Sequence, residues 1–495
     1  MKFQHQIAIA GGLLWNCLGG DAIQLDITSK DSIIAASNLA KHNMLAYYNG
    51  NLPGNIPGYP MDGYYWWEAG AMMGTLIQNW QLTGNDSLND IITQALLWQK
   101  GENNDYAPRN WSAQLGNDDQ VFWAFAAMDA AELAYPNPPS DSGVSWLGLA
   151  QAVFNDQADA WDSATCNGGL RWQITSLNAG YNYKNTISNG GFFQLASRLA
   201  RYTGNQTYAD WANKAFDWLV NTPMVVKNSP TSWSILDGAA IEGNCTNPTL
   251  YQWTYNPGTL LMGAAYLYNS STSNATEKQM WQDRINILMN STNIFMVQPI
   301  TSNPGNNKMP PPNGLILTEV TCETGDPSPC TIDEPAFKGF LARWMSVAAL
   351  MAPWIAPRVT SIIQASAQAA AAVCTNPQAP GFNQIPGTVC SRRWYQNWAD
   401  GRNGLGEQMS SLAVFQSLLI PGTALPYTSV SGGNSTSMAG AGGARTEGPT
   451  TPSEWVYTFT VDAGQMAGGA ILTIIGGLLP VVTSLWLLWP DGRSG

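Results

Sequence analysis

The feature that most constrains this chain is a paired signal, one part ending a helix and the other starting the next within a few residues. In QLTGNDSLND (81–90) and RYTGNQTYAD (201–210), Gly84 or Gly204 supplies a left-handed residue that closes one helix, and the Asn and Asp beside it offer caps for another. Such turns fall near residues 84, 137, 204 and 272, roughly one helical hairpin per sixty residues, and hairpins at regular spacing fold as a closed or stacked array. Apolar periodicity predicts helices near 30–48, 64–82, 86–101, 119–135, 146–162, 187–202, 206–221, 255–269, 276–290, 336–352, 357–373 and 405–419, with no sustained strand alternation between them. That number of helices in one domain suits an all-α (α/α)6 toroid, in which alternate helices line the inside and the loops at one end form a cleft. An open α-solenoid is the competing architecture. The connections between hairpins are long and rich in Gly, Trp and Asn, which favours the toroid with an active-site face.

Composition limits the chemistry. Only 11% of the 495 residues are charged, against roughly 25% in an average soluble protein. A net charge of -12 argues against nucleic acid, which needs clustered Lys and Arg. The 22 Trp and 18 Tyr, set among many Asn and Gln, resemble a sugar-binding surface, with flat rings for pyranose faces and amides for hydroxyls. There are two histidines, His5 and His42, and no G-x-S-x-G, H-E-x-x-H or P-loop. His42 lies in a helical stretch and reads as a packed or surface residue. No cofactor or metal site is expected, and carboxylates remain as the acid/base groups.

Two carboxylates stand out. In GNDDQVFWAFAAMDAAE (116–132), Asp118 and Asp119 open a helix that is apolar nearly all round. Structurally, Asn117 would be the cap and the acids ordinary first-turn residues facing the positive end of the helix dipole. Chemically, two like charges so close raise one pKa, and desolvation by Phe122 and Trp123 raises it further, giving one acid and one base. Glycoside hydrolysis needs such a pair.

The block NWSAQLGNDDQVFWAFAAMDAAE resembles the signature of glycoside hydrolase family 76, the endo-1,6-α-mannosidases. YYWWEAGAMMGTLIQNWQLTGN, NYKNTISNGGFFQLASRLARYTGN, SILDGA, YNPGTLLMGAAYLY and EPAFKGFLARW extend the likeness in order over roughly residues 25–420. The resemblance implies an (α/α)6 toroid and a retaining mechanism, with Asp118 as nucleophile and Asp119 as general acid/base. In the matching segments, Trp66 and Trp67 are candidates to stack on mannose, Asp237 to bind a hydroxyl or cap a helix, and Asn189, Tyr255, Asn256 and Lys338 to face the cleft. Glu68 could equally be a structural hydrogen-bond partner. The resemblance is strongest to the fungal cell-wall branch, which implies mannan or a GPI-core glycan as donor and β-glucan as acceptor. The alternatives are a mannan-binding wall protein without turnover, a helical interaction scaffold, and a polysaccharide lyase, the last disfavoured by the acidic charge.

The ends carry their own expectations. Residues 1–22 read as a secretory signal, with Lys2 before an apolar run and small residues near Gly20 and Ala22. Removal of Cys17 leaves six cysteines, an even count that suits disulfides. Cys322–Cys330 is the first pairing expected and Cys374–Cys390 the second. N-x-S/T sequons at Asn85, Asn110, Asn205, Asn244, Asn269, Asn274, Asn290 and Asn434 fit the same route. Residues 23–427 form the catalytic domain and 428–463 a small-residue linker. Residues 464–495 are an apolar tail, read as a GPI-attachment signal or a membrane anchor.

Overall fold

The structure is a computed structural model and describes residues 22–271, 274–300, 314–325, 329–375, 387–396 and 398–437. Twelve long helices carry the fold: α1 (Lys30–Leu45), α2 (Trp66–Thr83), α3 (Asn89–Trp98), α4 (Asn117–Glu132), α5 (Trp146–Asp159), α6 (Thr186–Thr203), α7 (Gln206–Val220), α8 (Tyr255–Ser270), α9 (Ala275–Ser291), α10 (Glu334–Met351), α11 (Ala356–Ala372) and α12 (Leu405–Ser417). Each coincides with a predicted helix to within a few residues. The stop signals work as read: Gly84 and Gly204 have φ of 72° and 71°, and their N–H groups bond back to the Trp80 and Ala200 carbonyls.

The even-numbered helices form the inner ring. Each packs on the next, from α2 through α4, α6, α8 and α10 to α12, and α12 returns to α2. The odd-numbered helices wrap the outside, α7 on α6 and α9 on α8 for example. The result is an (α/α)6 toroid. Sequence pattern explains the division. Outer α7 buries Tyr208, Trp211, Ala212, Ala215, Phe216 and Leu219, an apolar stripe at helical spacing. Inner α4 buries every residue from Gln120 to Met128, because it has neighbours on all sides. Inner helices also approach closely: a Cβ on Gly339 of α10 would lie 2.6 Å from Ser410 Cα of α12.

A polar network fills the far end of the bore. Arg198 of α6 bonds Asp129 Oδ1 at 2.5 Å and Glu132 Oε2 at 2.6 Å on α4. Arg343 of α10 reaches Asp129 Oδ2 at 3.0 Å and donates to Gln78, Thr75 and Gly74 of α2. Tyr266 of α8 donates to Glu132 Oε2, and Gln416 of α12 donates to Gln78 Oε1. All six inner helices are thereby tied together.

The connections at the opposite end are longer and carry short strands. β1 (Tyr183–Asn185), β4 (Gly238–Ala240) and β5 (Pro248–Thr249) form an antiparallel sheet, and β2 (Val225–Ser229) pairs with β3 (Ser232–Ile235). Three disulfides are present: Cys322–Cys330, Cys374–Cys390, and Cys166–Cys245, which joins the loop before β1 to the loop after β4.

Residues 428–437, grouped with the linker on composition, are docked on the toroid. The Tyr427 N–H bonds Glu132 O at the end of α4, the Ser429 N–H bonds Tyr202 O at the end of α6, and Ser435 Oγ accepts from the Leu147 N–H at the start of α5. Asn434, a sequon residue, donates its amide to Tyr135 O. Of the secretory signal expected over residues 1–22, residues 1–21 lie outside the described residues, as do the expected linker from residue 438 and the expected GPI-attachment signal or membrane anchor. Among the described residues no helix is long and apolar enough to cross a membrane.

Candidate active site

Helix α4 starts at the open end of the toroid, one residue earlier than its sequence implied. Gly116, extended at φ -97° and ψ 162°, is the cap, and Asn117 is the first helical residue. The segment is fixed by an edge contact with the 171–173 loop: Asn117 N–H bonds Trp172 O, and Asn117 Nδ2 bonds Arg171 O. Asp119, in the third helical position, turns back so that its Oδ2 accepts the Gly116 N–H at 2.7 Å. Asp118 points into the cleft, where Oδ2 accepts from Asn185 Nδ2 and Oδ1 from the Asp119 N–H, both at 3.1 Å. The two carboxyls share the space over a glycine: a Cβ on Gly116 would lie 2.3 Å from Asp118 Oδ1 and 3.1 Å from Asp119 Oδ2.

Their proton affinities differ. Burial pushes Asp118 up to about 7, opposed by the Asn185 amide and backbone N–H groups and assisted by Asp237. Asp119 is held well above the ordinary carboxylate range by burial and by the charge of Asp118, with the Gly116 N–H opposing. Above about pH 7 the pair therefore carries its proton on Asp119 and its charge on Asp118.

The surrounding cleft has a volume of about 570 Å³. Aromatic rings make most of its wall: Trp67 packs on Phe122 at 4.8 Å between centroids, and Tyr255 stacks on Phe337 at 3.9 Å. Trp172 and Tyr251 reach the solvent at its rim. Asp237, Asp333 and Glu334 join the Asp118–Asp119 pair, and among the described residues the lining contains neither Lys nor Arg. What offsets this acidity is the backbone. The starts of α2, α4, α8 and α10, and the Asn185 cap of α6, all lie at the cleft, so the positive ends of their dipoles point inward.

The structure brings six of the nine predicted site residues into this lining: Asp118, Asp119, Trp66, Trp67, Asp237 and Tyr255. Trp66 touches the cleft, but its ring stacks on Trp123 and its indole donates to Gln99, so packing dominates. Asp237 caps no helix; it accepts from Tyr183 Oη at 2.7 Å and Trp253 Nε1 at 3.0 Å.

Three expectations are corrected. Asn189 is a buried brace one turn below Asn185, bonding both the N–H and the carbonyl of Leu170. Asn256 is fully buried beside the cleft-facing Tyr255, rotated about 100° around the helix and out of the cleft lining. Lys338 points away from the cleft and pairs with Glu323 at 2.7 Å under the Trp394 ring. Glu68 is also structural: buried, with Oε2 accepting the Tyr65 N–H at 2.7 Å, and its carboxyl pushed well up by burial. His42 is exposed on outer helix α1. Among the described residues no cluster of His, Cys, Asp or Glu could hold a metal ion.

Sequence reasoning missed Asn185, Tyr183, Trp253, Phe337 and Asp333. Asp333 immediately precedes the EPAFKGFLARW segment. Burial pushes its carboxyl up to about 7, with Glu334 and Asp118 adding to the shift and the Trp67 indole opposing it.

A closed double ring of helices, holding two neighbouring carboxyls of unequal proton affinity at the floor of an aromatic cleft, defines a glycoside hydrolase. The chain belongs to glycosyl hydrolase family 76, whose profile matches residues 32–430. It is 39% identical to mannan endo-1,6-alpha-mannosidase DCW1 of Saccharomyces cerevisiae over 97% of this chain and 98% of that protein. It is 38% identical to mannan endo-1,6-alpha-mannosidase DFG5 of the same yeast, over 94% of each. Among solved structures, Dfg5 from Chaetomium thermophilum in complex with glucosamine superposes with a TM-score of 0.74 at 40% identity, covering 85% of this chain and 97% of that one. The alpha-1,6-mannanase GH76A of Salegentibacter, at 16% identity and a TM-score of 0.57 over 78% of this chain and 98% of that one, shares the fold.

Proposed function

We propose that the protein is a retaining endo-1,6-α-mannosidase that works on α-1,6-linked mannan or on the mannose of a GPI-core glycan. The observation that carries this reading is the Asp118–Asp119 pair, set on one glycine at the floor of the cleft. Both carboxyls have an oxygen within 3.1 Å of the same point, closer together than the roughly 6.5–9.5 Å that leaves room for a water between inverting carboxyls. Asp118, the anionic member, attacks the anomeric carbon as the glycosidic bond breaks, and Asp119 gives its proton to the departing O6. The mannosyl ester on Asp118 is then cleaved by an acceptor hydroxyl whose proton returns to Asp119.

An acceptor from water completes hydrolysis, and a sugar hydroxyl completes transglycosylation. The aromatic cleft, with Trp172 and Tyr251 at its rim, supports a sugar acceptor, and β-glucan is the acceptor we assign. Its acidity and lack of Lys and Arg also suit a donor bearing a free amino sugar. The signal sequence, the three disulfides and the apolar tail support secretion and membrane anchoring at the cell surface, with a role in wall biogenesis. The test is incubation with an α-1,6-manno-oligosaccharide, with and without a β-glucan oligosaccharide, with products read by mass. Shorter mannosides or a mannose–glucan hybrid are expected. An unchanged substrate under both conditions contradicts the reading.

A further inference from the structure

Asp333 occupies the cap position of α10, where an Asp ordinarily accepts N–H bonds from the first turn of its own helix. It makes no such bond. That end of the helix is instead organised by Glu334, whose Oε2 accepts both the N–H and the hydroxyl of Thr331. The Asp333 side chain lines the cleft, held by one bond, from Trp67 Nε1 to Oδ1 at 3.1 Å.

Satisfying an indole does not need a carboxylate. The neighbouring Trp66 indole is satisfied by the neutral amide of Gln99 at 2.8 Å. A carboxylate held in an aromatic cleft without a cation costs desolvation energy that a Gln or Asn would avoid. Asp237 offers a contrast within the same cleft, because Tyr183 and Trp253 occupy both of its oxygens. Asp333 has one oxygen to spare. Asp333 lines the same cleft as Asp118 and Asp119, and its carboxyl interacts electrostatically with both.

We propose that Asp333 is a substrate-positioning residue whose free carboxyl oxygen accepts hydrogen bonds from the hydroxyls of the sugar seated over Asp118 and Asp119. The inference rests on the mannosidase reading. The indole of Trp67 fixes the rotamer, so the acceptor is in place before substrate arrives. The charge has a second effect, on the pH dependence of the pair. The titratable groups facing Asp333 are Glu334 on its own helix, Tyr65 and Glu68 from the start of α2, Asp118 and Asp119 from α4, and Tyr255 from α8. Among the described residues no cation lines the cleft to screen it. Removing the charge makes the ionised forms of Asp118 and Asp119 easier to reach.

The test compares Asp333→Asn and Trp67→Phe with the wild type in the full chain, using α-1,6-mannotetraose as substrate. Asp333→Asn keeps an acceptor for the indole and is expected to lower kcat/KM by about 10- to 100-fold, the range for a lost hydrogen bond to a charged group. Its melting temperature should not fall, and its pH–rate profile should move to lower pH. Trp67→Phe, which leaves the carboxyl in place but frees it to turn, should show a smaller loss and a smaller pH shift in the same direction. In an Asp119→Asn background, adding Asp333→Ala should weaken α-1,6-mannotriose binding at least about 10-fold.

An Asp333→Asn protein with wild-type kcat, KM and pH profile overturns the proposal and leaves the mannosidase reading standing. A loss of activity that tracks a loss of stability, with the pH profile unmoved, also overturns it. A wild type that binds the triose without cleaving it leaves the binding comparison to decide. A wild type that neither cleaves nor binds overturns both.

Discussion

Helix α4 carries two acidic pairs, one at each end, and the fold treats them in opposite ways. At its C-terminal end Asp129 and Glu132 meet two arginines, Arg198 and Arg343, and share them with helices from around the ring. At its N-terminal end, about 16 Å up the axis, Asp118 and Asp119 meet an amide, backbone N–H groups and each other. The first pair is neutralised and built into the structure. The second is left without a counter-ion, supported by the helix start and surrounded by rings, so one member keeps its proton. On the proposed reading, carboxyl groups on one helix thus serve as scaffold or catalyst according to whether a guanidinium is within reach.

The largest effect expected is at the catalytic end. Asp118→Asn and Asp119→Asn should each lower turnover by about 10³-fold or more, while the melting temperature holds or rises, because Asp118→Asn removes an uncompensated charge and Asp119→Asn replaces a buried carboxyl that resists ionising. A variant at either position with wild-type turnover breaks the comparison. The other end should behave in reverse. Arg198→Met leaves Glu132 and part of Asp129 unpaired in the interior and should cost about 3–5 kcal/mol of stability in denaturant melts. A fully stable Arg198→Met protein would mean that the network does not hold the ring.

Gly116→Ala sharpens the contrast further. Its backbone conformation is open to any residue, but the added methyl would lie 2.3 Å from Asp118 Oδ1. The side chain can move aside, so stability should change by about 1 kcal/mol. Turnover should fall about 10²-fold because the nucleophile is displaced. The smallest effect concerns pH. Asp118 holds its proton to about 7 in the fold, against 3.8 ordinarily. The folded state therefore binds that proton more tightly, and stability present below about 4 is lost as pH rises through about 7. Melting curves across that range should slope downward, and Asp118→Asn should flatten the slope. An equal slope in the variant would place the titration elsewhere.

The ring was legible because its signals are local. Glycine stops, cap residues and 3.6-residue periodicity lie within single segments, and all twelve helices follow from them. The Asp118–Asp119 pair was legible for the same reason, two acids against an apolar run. The rest of the site was not, because it depends on how helix starts from distant segments converge. Asn185 and Asn189 sit one turn apart on α6, and only the first reaches Asp118, while the second braces the loop below. Lys338, chosen from its segment, lies 100° around α10 from Phe337 and pairs with Glu323 instead. Asp333 sits one residue before that segment and resembles any helix cap until the Trp67 contact is seen. Residues 428–437 read as linker because small polar residues carry no periodicity, yet their hydrogen bonds to Tyr202 and Leu147 dock them on the toroid.

The most direct test of the central claim follows the anomeric configuration of the first product by NMR as the protein acts on α-1,6-mannotetraose. With Asp118 as nucleophile and Asp119 as its acid/base partner, the α-anomer should appear first and mutarotate later, and Asp118→Asn should release none. A β-anomer as first product, or unchanged release by Asp118→Asn, would contradict the account.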